Sequence, residues 1–156
     1  MASRVFVGFS SDNKHYFDLM KAWKKNENMD FDFIDLQLDK AINSDNESYI
    51  KGLIRNKITR SGTFIQIIGN NTKSKHKYVR WEAEVAIEKN CRLICVNING
   101  NREINEILTP PILKNKGAIF VPFKANIINY ALEHFQKKVD DDWHYKNTVY
   151  TELGLN

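Results

Sequence analysis

The sequence predicts one α/β domain with a flavodoxin-like, three-layer fold: a five-stranded parallel sheet with helices on both faces. Short apolar runs rich in β-branched residues alternate with segments of helical period, in the order βαβαβαβαβα. Each strand-to-strand connection includes a helix, which gives right-handed crossovers. For five strands we expect the order 2-1-3-4-5, in which a ligand-binding crevice opens between the first and third strands.

The predicted strands are short runs bounded by polar turn residues. FIQII and RLICVNI are almost continuously apolar, which is typical of central strands buried on both faces of a parallel sheet. The five strands are expected at residues 4–10, 31–36, 64–68, 92–98 and 118–122.

The predicted helices have apolar residues that recur every three or four positions. Cap signals precede two of them, Ser-Ser-Asp-Asn after the first strand and Ser-Asp-Asn-Glu at 44–47. The helices are expected at residues 13–26, 49–58, 77–90, 103–108 and 124–139. Residues 1–139 would form the domain, and the aromatic-rich tail 140–156 would pack on it or contribute to an interface.

The composition excludes several classes of protein. The chain has 156 residues, of which 42% are hydrophobic and 27% charged, and its net charge is +4 with both signs interspersed. We find no basic stripe for nucleic acid, no signal peptide and no membrane-spanning run, and therefore expect a cytoplasmic protein. Cys91 and Cys95 are expected to be buried free thiols. The mild positive charge suits a phosphate-bearing small molecule.

The helix at 77–90, KYVRWEAEVAIEKN, is central to the prediction because it lies between the two clearest strands. It carries Glu82 near its N-terminal end, beside Trp81 and at helical spacing from Tyr78. A carboxylate there lies close to the C-terminal edge of the sheet, where ligands bind. Partial burial among aromatic rings would raise its pKa. The alternative is a solvated glutamate on a helix surface, and the pattern alone leaves both open.

Other catalytic signatures are missing. Gly8 and Gly69 are isolated, so the sequence has neither a Rossmann nor a P-loop phosphate-binding motif. Asp12 and Asp35 follow the first two strands, as acids do in receiver domains, but the other acids of that class are absent. The histidines lack ligand spacing, and no serine or cysteine lies in a nucleophile-elbow sequence. We therefore predict no metal site.

Three segments resemble the TIR-like proteins of bacterial immunity, most closely the TIR subunit (ThsB type) of the Thoeris antiphage system. RVFVGFSSDN is similar to the family's first box, an aliphatic strand followed by a polar loop that ends in Asp. IIGNNT and KYVRWEAEVAIEKNCRLICVNING are similar to its third strand and the following helix, with the glutamate at position 82. The order and spacing of the segments carry the resemblance. Arg4 and Gly8 depart from the residues usual in the family.

The resemblance implies NAD chemistry. In the family, the glutamate at the position of Glu82 is the catalytic residue that breaks the bond between nicotinamide and ribose, and a cyclic or otherwise modified ADP-ribose then activates a partner effector. NAD would be a substrate, with no prosthetic group, metal, nucleic acid or membrane involved, and TIR–TIR self-association would complete the site. The residues expected to bind the substrate are Phe9, Ser10, Asp12, Asp35, Asn70, Thr72, Tyr78 and Trp81.

Two other functions stay open at this point. A non-catalytic TIR-like interaction module or scaffold would need Glu82 only as a helix charge. Another flavodoxin-like binder of small ligands, such as a relative of the nucleoside deoxyribosyltransferases, would share the fold and the crevice.

Overall fold

The computed structural model of the protein describes residues 3–26, 29–36, 46–137 and 139–155. Its strands are β1 (Ser3–Gly8), β2 (Phe31–Ile34), β3 (Thr63–Ile68), β4 (Arg92–Asn97), β5 (Ile119–Pro122) and β6 (Trp143–His144). They form one sheet in the order β2-β1-β3-β4-β5-β6, and every neighbouring pair is parallel. The predicted α/β class and 2-1-3-4-5 order are therefore confirmed. The sheet has six strands where five were expected, because residues of the C-terminal tail pair with β5.

Five α-helices lie on the two faces of the sheet within the described residues. They are α1 (Lys14–Asn26), α2 (Glu47–Thr59), α3 (Tyr78–Glu88), α4 (Ala125–His134) and α5 (Asn147–Glu152). Short 3-10 helices cover Ser11–Asn13, Thr72–Ser74 and Pro111–Leu113. The cap signal predicted at 44–47 lies partly outside the described residues, but its Asn46 caps α2, where its side chain accepts a 3.1 Å hydrogen bond from the backbone N–H of Tyr49. None of the helices described here is long and apolar enough to cross a membrane.

Two helix predictions are wrong, for local reasons. Residues 103–108 form turns, because the Asn105 side chain accepts hydrogen bonds from the backbone N–H groups of Ile107 and Leu108 and competes with the helical pattern. The helix predicted at 124–139 ends at His134. Arg92 stabilises this early end, since its guanidinium donates 2.9 Å hydrogen bonds to the carbonyls of Leu132 and Phe135.

Each face of the sheet has its own hydrophobic core. Val7 and Ile65, paired across β1 and β3, belong to the core that is completed by α1, α4 and α5. Phe6 and Phe64, on the opposite face, belong to the core that is completed by α2 and α3. Successive strand residues point to opposite faces, so both sides of the central strands are buried. This is the reason for their nearly continuous apolar sequences.

The C-terminal tail packs against the body of the domain. Tyr150 of α5 is fully buried in the core shared by α1 and α4. The guanidinium of Arg102 lies 4.1 Å from the centre of the Tyr150 ring and donates a 3.1 Å hydrogen bond to the carbonyl of Leu155. The tail is thus tied both to the core and to the connection between β4 and β5.

Candidate functional site

A cavity of about 820 Å³ opens at the C-terminal edge of the sheet. It is lined by the connection between β1 and α1, by the residues that follow β2, and by the segment that leads into α3 together with the first turns of that helix. This is the switch region of a doubly wound sheet, at which ligands bind. The volume falls in the range of small-molecule sites. Carboxyl groups, cations, hydroxyls and apolar side chains line it: Val7, Phe9, Ser10, Ser11, Lys14, Phe17, Lys21, Asp35, Leu36, Ser74, Lys75, His76, Lys77, Tyr78, Val79 and Glu82.

Glu82 is the most deeply buried ionisable group of this cavity. It lies in the second turn of α3 with Val79 and Ala83 on the buried side of the helix, and it is only 5% exposed. Burial raises the pKa of its carboxyl well above the usual value, and the nearby Asp35 raises it further. The Glu82 side chain is therefore buried, in contrast to the alternative of a solvated glutamate on the helix surface. Its carboxyl group lines the cavity and binds a proton more tightly than a surface glutamate does.

Gly8 gives the carboxyl group of Glu82 its space. A methyl group built on Gly8 would lie 3.0 Å from Oε1 of Glu82 and 2.9 Å from Cζ of Phe64. The absence of a side chain on β1 thus lets the end of the glutamate approach the sheet backbone closely. The sequence showed this glycine only as a departure from the family pattern.

Gly8→Ala is expected to reduce turnover by about tenfold to a hundredfold, because a displacement of the Glu82 carboxyl by a fraction of an ångström misaligns it with a bound substrate. Steady-state kinetics of nicotinamide release from NAD, the reaction that the family resemblance implies, measure the effect. Gly52→Ala is the matched control, since a methyl group at Gly52 in α2 meets nothing within 4 Å. Equal kcat values for Gly8→Ala and the wild-type protein would contradict this role.

Asp35 supplies a second carboxyl group, from the end of β2. Its Oδ1 is buried and makes no hydrogen bond within the described part of the chain. Burial raises the pKa of this carboxyl, although Lys57, Lys21 and Lys14 act in the opposite direction. Lys57 also donates hydrogen bonds of 3.1 and 2.7 Å to the backbone carbonyls of Asp35 and Leu36, which fixes the strand end.

Three further residues predicted for the site also line the cavity. The ring of Phe9 stacks on that of Phe17 at 5.1 Å, and Tyr78 packs edge-on against Trp81 at 5.6 Å. Ser10 is 1% exposed, and its hydroxyl has no hydrogen-bond partner among the described residues. These groups give the cavity an aromatic wall with one buried hydroxyl beside it.

The other four predicted residues, Asp12, Asn70, Thr72 and Trp81, are not among those that line the cavity. Asp12 accepts a 2.9 Å hydrogen bond from the side chain of Asn71. The Thr72 hydroxyl is buried in its own loop and accepts a 2.9 Å bond from the N–H of Gly69. The ring of Trp81 lies 4.4 Å from the ammonium of Lys51. Thr72 and Trp81 thus make local contacts away from the cavity, and Asn70 is exposed on the loop that follows β3.

Sequence reasoning missed the cations of the cavity. Lys14 and Lys21 come from α1, and Lys75, His76 and Lys77 come from the segment before α3. The basic run 75–77 is visible in the sequence next to the helix that carries Glu82, and it could have predicted positive charge at the cavity. The pair on α1 could not, because lysines on an amphipathic helix are ordinarily solvated.

Within the residues that the structure describes, no group of three or more His, Cys, Asp or Glu side chains could hold a metal ion. Cys91 and Cys95 are buried free thiols. Burial raises the pKa of both thiols, so neither is activated as a nucleophile. The charged groups that the described residues bring to the cavity are its carboxyl groups and its cations.

An open parallel sheet with a carboxyl-bearing cavity at its switch region is the architecture of a small-ligand-binding α/β domain. The family model "Thoeris protein ThsB, TIR-like domain" matches residues 6–103, and the chain belongs to this family. The suspected resemblance is thereby confirmed. The match includes the last three residues of β1 and all of α3, and so both Gly8 and Glu82.

Similarity to individual proteins is weaker than the match to the family. No curated protein sequence matches the chain. A crystal structure of a conserved protein from Enterococcus faecalis V583 is similar with a TM-score of 0.47 and 14% identity, over 98% of this chain and 86% of that one. A 3-dehydroquinate dehydratase-like protein from Bifidobacterium longum is similar with a TM-score of 0.38 and 13% identity, over 85% of this chain and 91% of that one. Similarity at this level carries no argument about function.

Proposed function

We propose that the protein is an NAD-consuming enzyme of antiphage defence that breaks the bond between nicotinamide and ribose. The observation that carries the proposal is the buried carboxyl group of Glu82, which lines a cavity of about 820 Å³ together with several cations in a domain of the Thoeris ThsB family. The released ADP-ribose unit, cyclic or otherwise modified, is the signal for a partner effector. NAD is a substrate in this proposal, and no prosthetic group takes part.

The chemistry requires little more than one well-placed carboxylate. Nicotinamide leaves a cationic ring as a neutral molecule, so no acid has to protonate it. The ribose passes through an oxocarbenium-like state, as in glycoside hydrolysis. An ionised Glu82 stabilises that positive charge and holds the ribose hydroxyls. A bound cation also favours the ionised form of the carboxyl, which offsets the rise in pKa caused by burial.

The cations at the cavity suit the diphosphate of NAD. Lys14 and Lys21 approach from α1, while Lys75 and Lys77 approach from the segment before α3. A diphosphate between these two groups would leave the apolar and aromatic wall for a nicotinamide or adenine ring. Lysine binds phosphate as a flexible point charge, which tolerates such an open arrangement.

Lys75→Ala is expected to raise KM for NAD by roughly three- to fivefold with little change in kcat, which is the effect of losing one solvent-screened ion pair. The difference should shrink as salt is added. Lys89→Ala is the control, since Lys89 lies at the opposite end of α3. A fall in kcat at unchanged KM would contradict a purely binding role.

Mass spectrometry of purified protein incubated with NAD tests the proposal. The incubation is done at high protein concentration, with a crowding agent and again in lysate of phage-infected cells, because self-association or a trigger is expected to complete the site. We expect free nicotinamide and an ADP-ribose product in at least one of these settings. Intact NAD in all of them would refute the enzyme and leave the alternative of a non-catalytic interaction module.

A further inference from the structure

Glu82 is not the only carboxyl group that lines the cavity. Asp35 reaches it from the end of β2, across from α3, and its buried Oδ1 has no hydrogen-bond partner among the described residues. A buried polar atom without a partner is costly, and such atoms are found where a ligand or water completes the bonding. The Asp35 carboxyl group therefore lies at the wall of the cavity with bonding capacity that no described residue uses.

We propose that Asp35 is the general base of the reaction, which accepts the proton of the nucleophile that replaces nicotinamide. This inference rests on the proposed function and assigns a separate step to each carboxyl group. Glu82 stabilises the ribosyl cation as the bond between C1 of the ribose and the nicotinamide nitrogen breaks. Asp35 prepares the water or hydroxyl group that attacks C1.

The step balances without any further reactant. The electron pair of the breaking C–N bond leaves with nicotinamide, which becomes neutral. A lone pair of the nucleophile's oxygen forms the new C–O bond, and its proton passes to the Asp35 carboxylate and from there to solvent. With water, NAD⁺ gives ADP-ribose, nicotinamide and one proton. With a hydroxyl group of the ADP-ribose itself, it gives a cyclic product, nicotinamide and one proton.

The surroundings of the two carboxyl groups separate their roles. Within the described part of the chain, no cation lowers the pKa of Glu82. Lys57 from α2 and Lys21 and Lys14 from α1, in contrast, act to lower the pKa of Asp35. These lysines keep Asp35 the more readily ionised of the pair, and burial keeps it more basic than a surface aspartate. A carboxylate that is ionised but unusually basic is suited to accept a proton near neutral pH.

Azide rescue tests the assignment, because azide is an anionic nucleophile with no proton to lose. Asp35→Asn is expected to slow formation of the water or cyclic product by at least about a hundredfold. Sodium azide should restore nicotinamide release in this variant and give the ribosyl azide. It should not restore Glu82→Gln, which lacks the group that stabilises the cation. Asp32→Asn is the matched control, since Asp32 lies three residues earlier and pairs with Lys24 outside the cavity.

Each outcome decides the inference. Unchanged turnover in Asp35→Asn overturns it, and so does slow turnover that azide does not restore, because a positioning or folding defect would behave in that way. The wild-type protein provides a second test that needs no variant. At a fixed concentration of the azide anion, adjusted at each pH for the protonation of azide, the ratio of azide product to water or cyclic product should rise as the pH falls through the pKa of Asp35, and a constant ratio overturns the inference. Absence of nicotinamide release from the wild-type protein instead refutes the proposed function.

Discussion

Replacement of Glu82 by Gln is expected to have two opposite effects: nicotinamide release falls by at least about a thousandfold, and the melting temperature at neutral pH rises. The loss of activity follows from removal of the charge that faces the ribosyl cation, an electrostatic contribution that is large in a buried site. The gain in stability follows from burial, because the wild-type protein must either bury a carboxylate or hold a proton there.

The size of the stability effect depends on pH in a defined way. Folding raises the pKa of Glu82 above its usual value of 4.5. Between the unfolded and folded pKa values, the unfolded state binds fewer protons, so the free energy of unfolding of the wild-type protein falls as the pH rises. Glutamine does not titrate. The melting temperatures of the two proteins should therefore be similar below the usual glutamate pKa and should diverge above it.

Thermal denaturation from acid to mildly alkaline pH measures this divergence, which should reach a few degrees, given about 2–4 °C per kcal/mol for a chain of this size. Glu84→Gln is the control: Glu84 is exposed on the same helix and pairs with Arg80 at 2.9 Å. It should retain both the activity and the wild-type pH dependence. A Glu82→Gln protein that melts below the wild type at pH 8 would contradict the burial of the charge.

Tyr150→Ala is expected to lower the free energy of unfolding by about 3–5 kcal/mol, the usual effect of removing a fully buried aromatic ring. The ring anchors α5 in the core shared with α1 and α4, and it carries the guanidinium of Arg102 on its face. Its loss should therefore release the tail as well as open a cavity. Urea denaturation monitored by circular dichroism measures the change.

Tyr150→Phe separates the ring from its hydroxyl. The Tyr150 hydroxyl is buried and has no hydrogen-bond partner in the described residues, so its removal should leave the stability unchanged or increase it slightly. A large loss in Tyr150→Phe would mean that the hydroxyl has a partner. A small loss in Tyr150→Ala would mean that the tail contributes little to the fold.

The order of the sheet was predictable from the sequence because its strands are buried on both faces. FIQII and RLICVNI became β3 and β4 with boundaries within one residue of those expected. The tail strand was not predictable, since β6 has only two residues and takes its conformation from pairing with β5. The false helix at 103–108 has a similar origin: the Asn105 side chain overrides a weak helical pattern.

The sequence predicted the place of Glu82 in the fold more fully than the place of its neighbours. Its helical spacing and its position after β3 put it near the C-terminal edge of the sheet, while the pattern left a solvated glutamate open and only the family resemblance implied a catalytic role. Its depth could not be predicted, because it depends on the missing side chain of Gly8 on a different strand. The convergence of Asp35 and the α1 lysines on one cavity is likewise a property of the packed fold. Asp12 and Trp81 were predicted from their positions along the chain. In the structure Asp12 accepts a hydrogen bond from Asn71, and the ring of Trp81 packs against the ammonium of Lys51.

The most direct test of Glu82 as the catalytic carboxylate is the rate of nicotinamide release from NAD, measured between pH 5 and pH 9 for the wild-type protein and Glu82→Gln. The wild-type kcat/KM should rise with pH through the raised pKa of Glu82, in a range where ordinary carboxyl groups are already fully ionised. Glu82→Gln should release no nicotinamide above the spontaneous rate at any pH. Equal rates for the two proteins would contradict the assignment of Glu82.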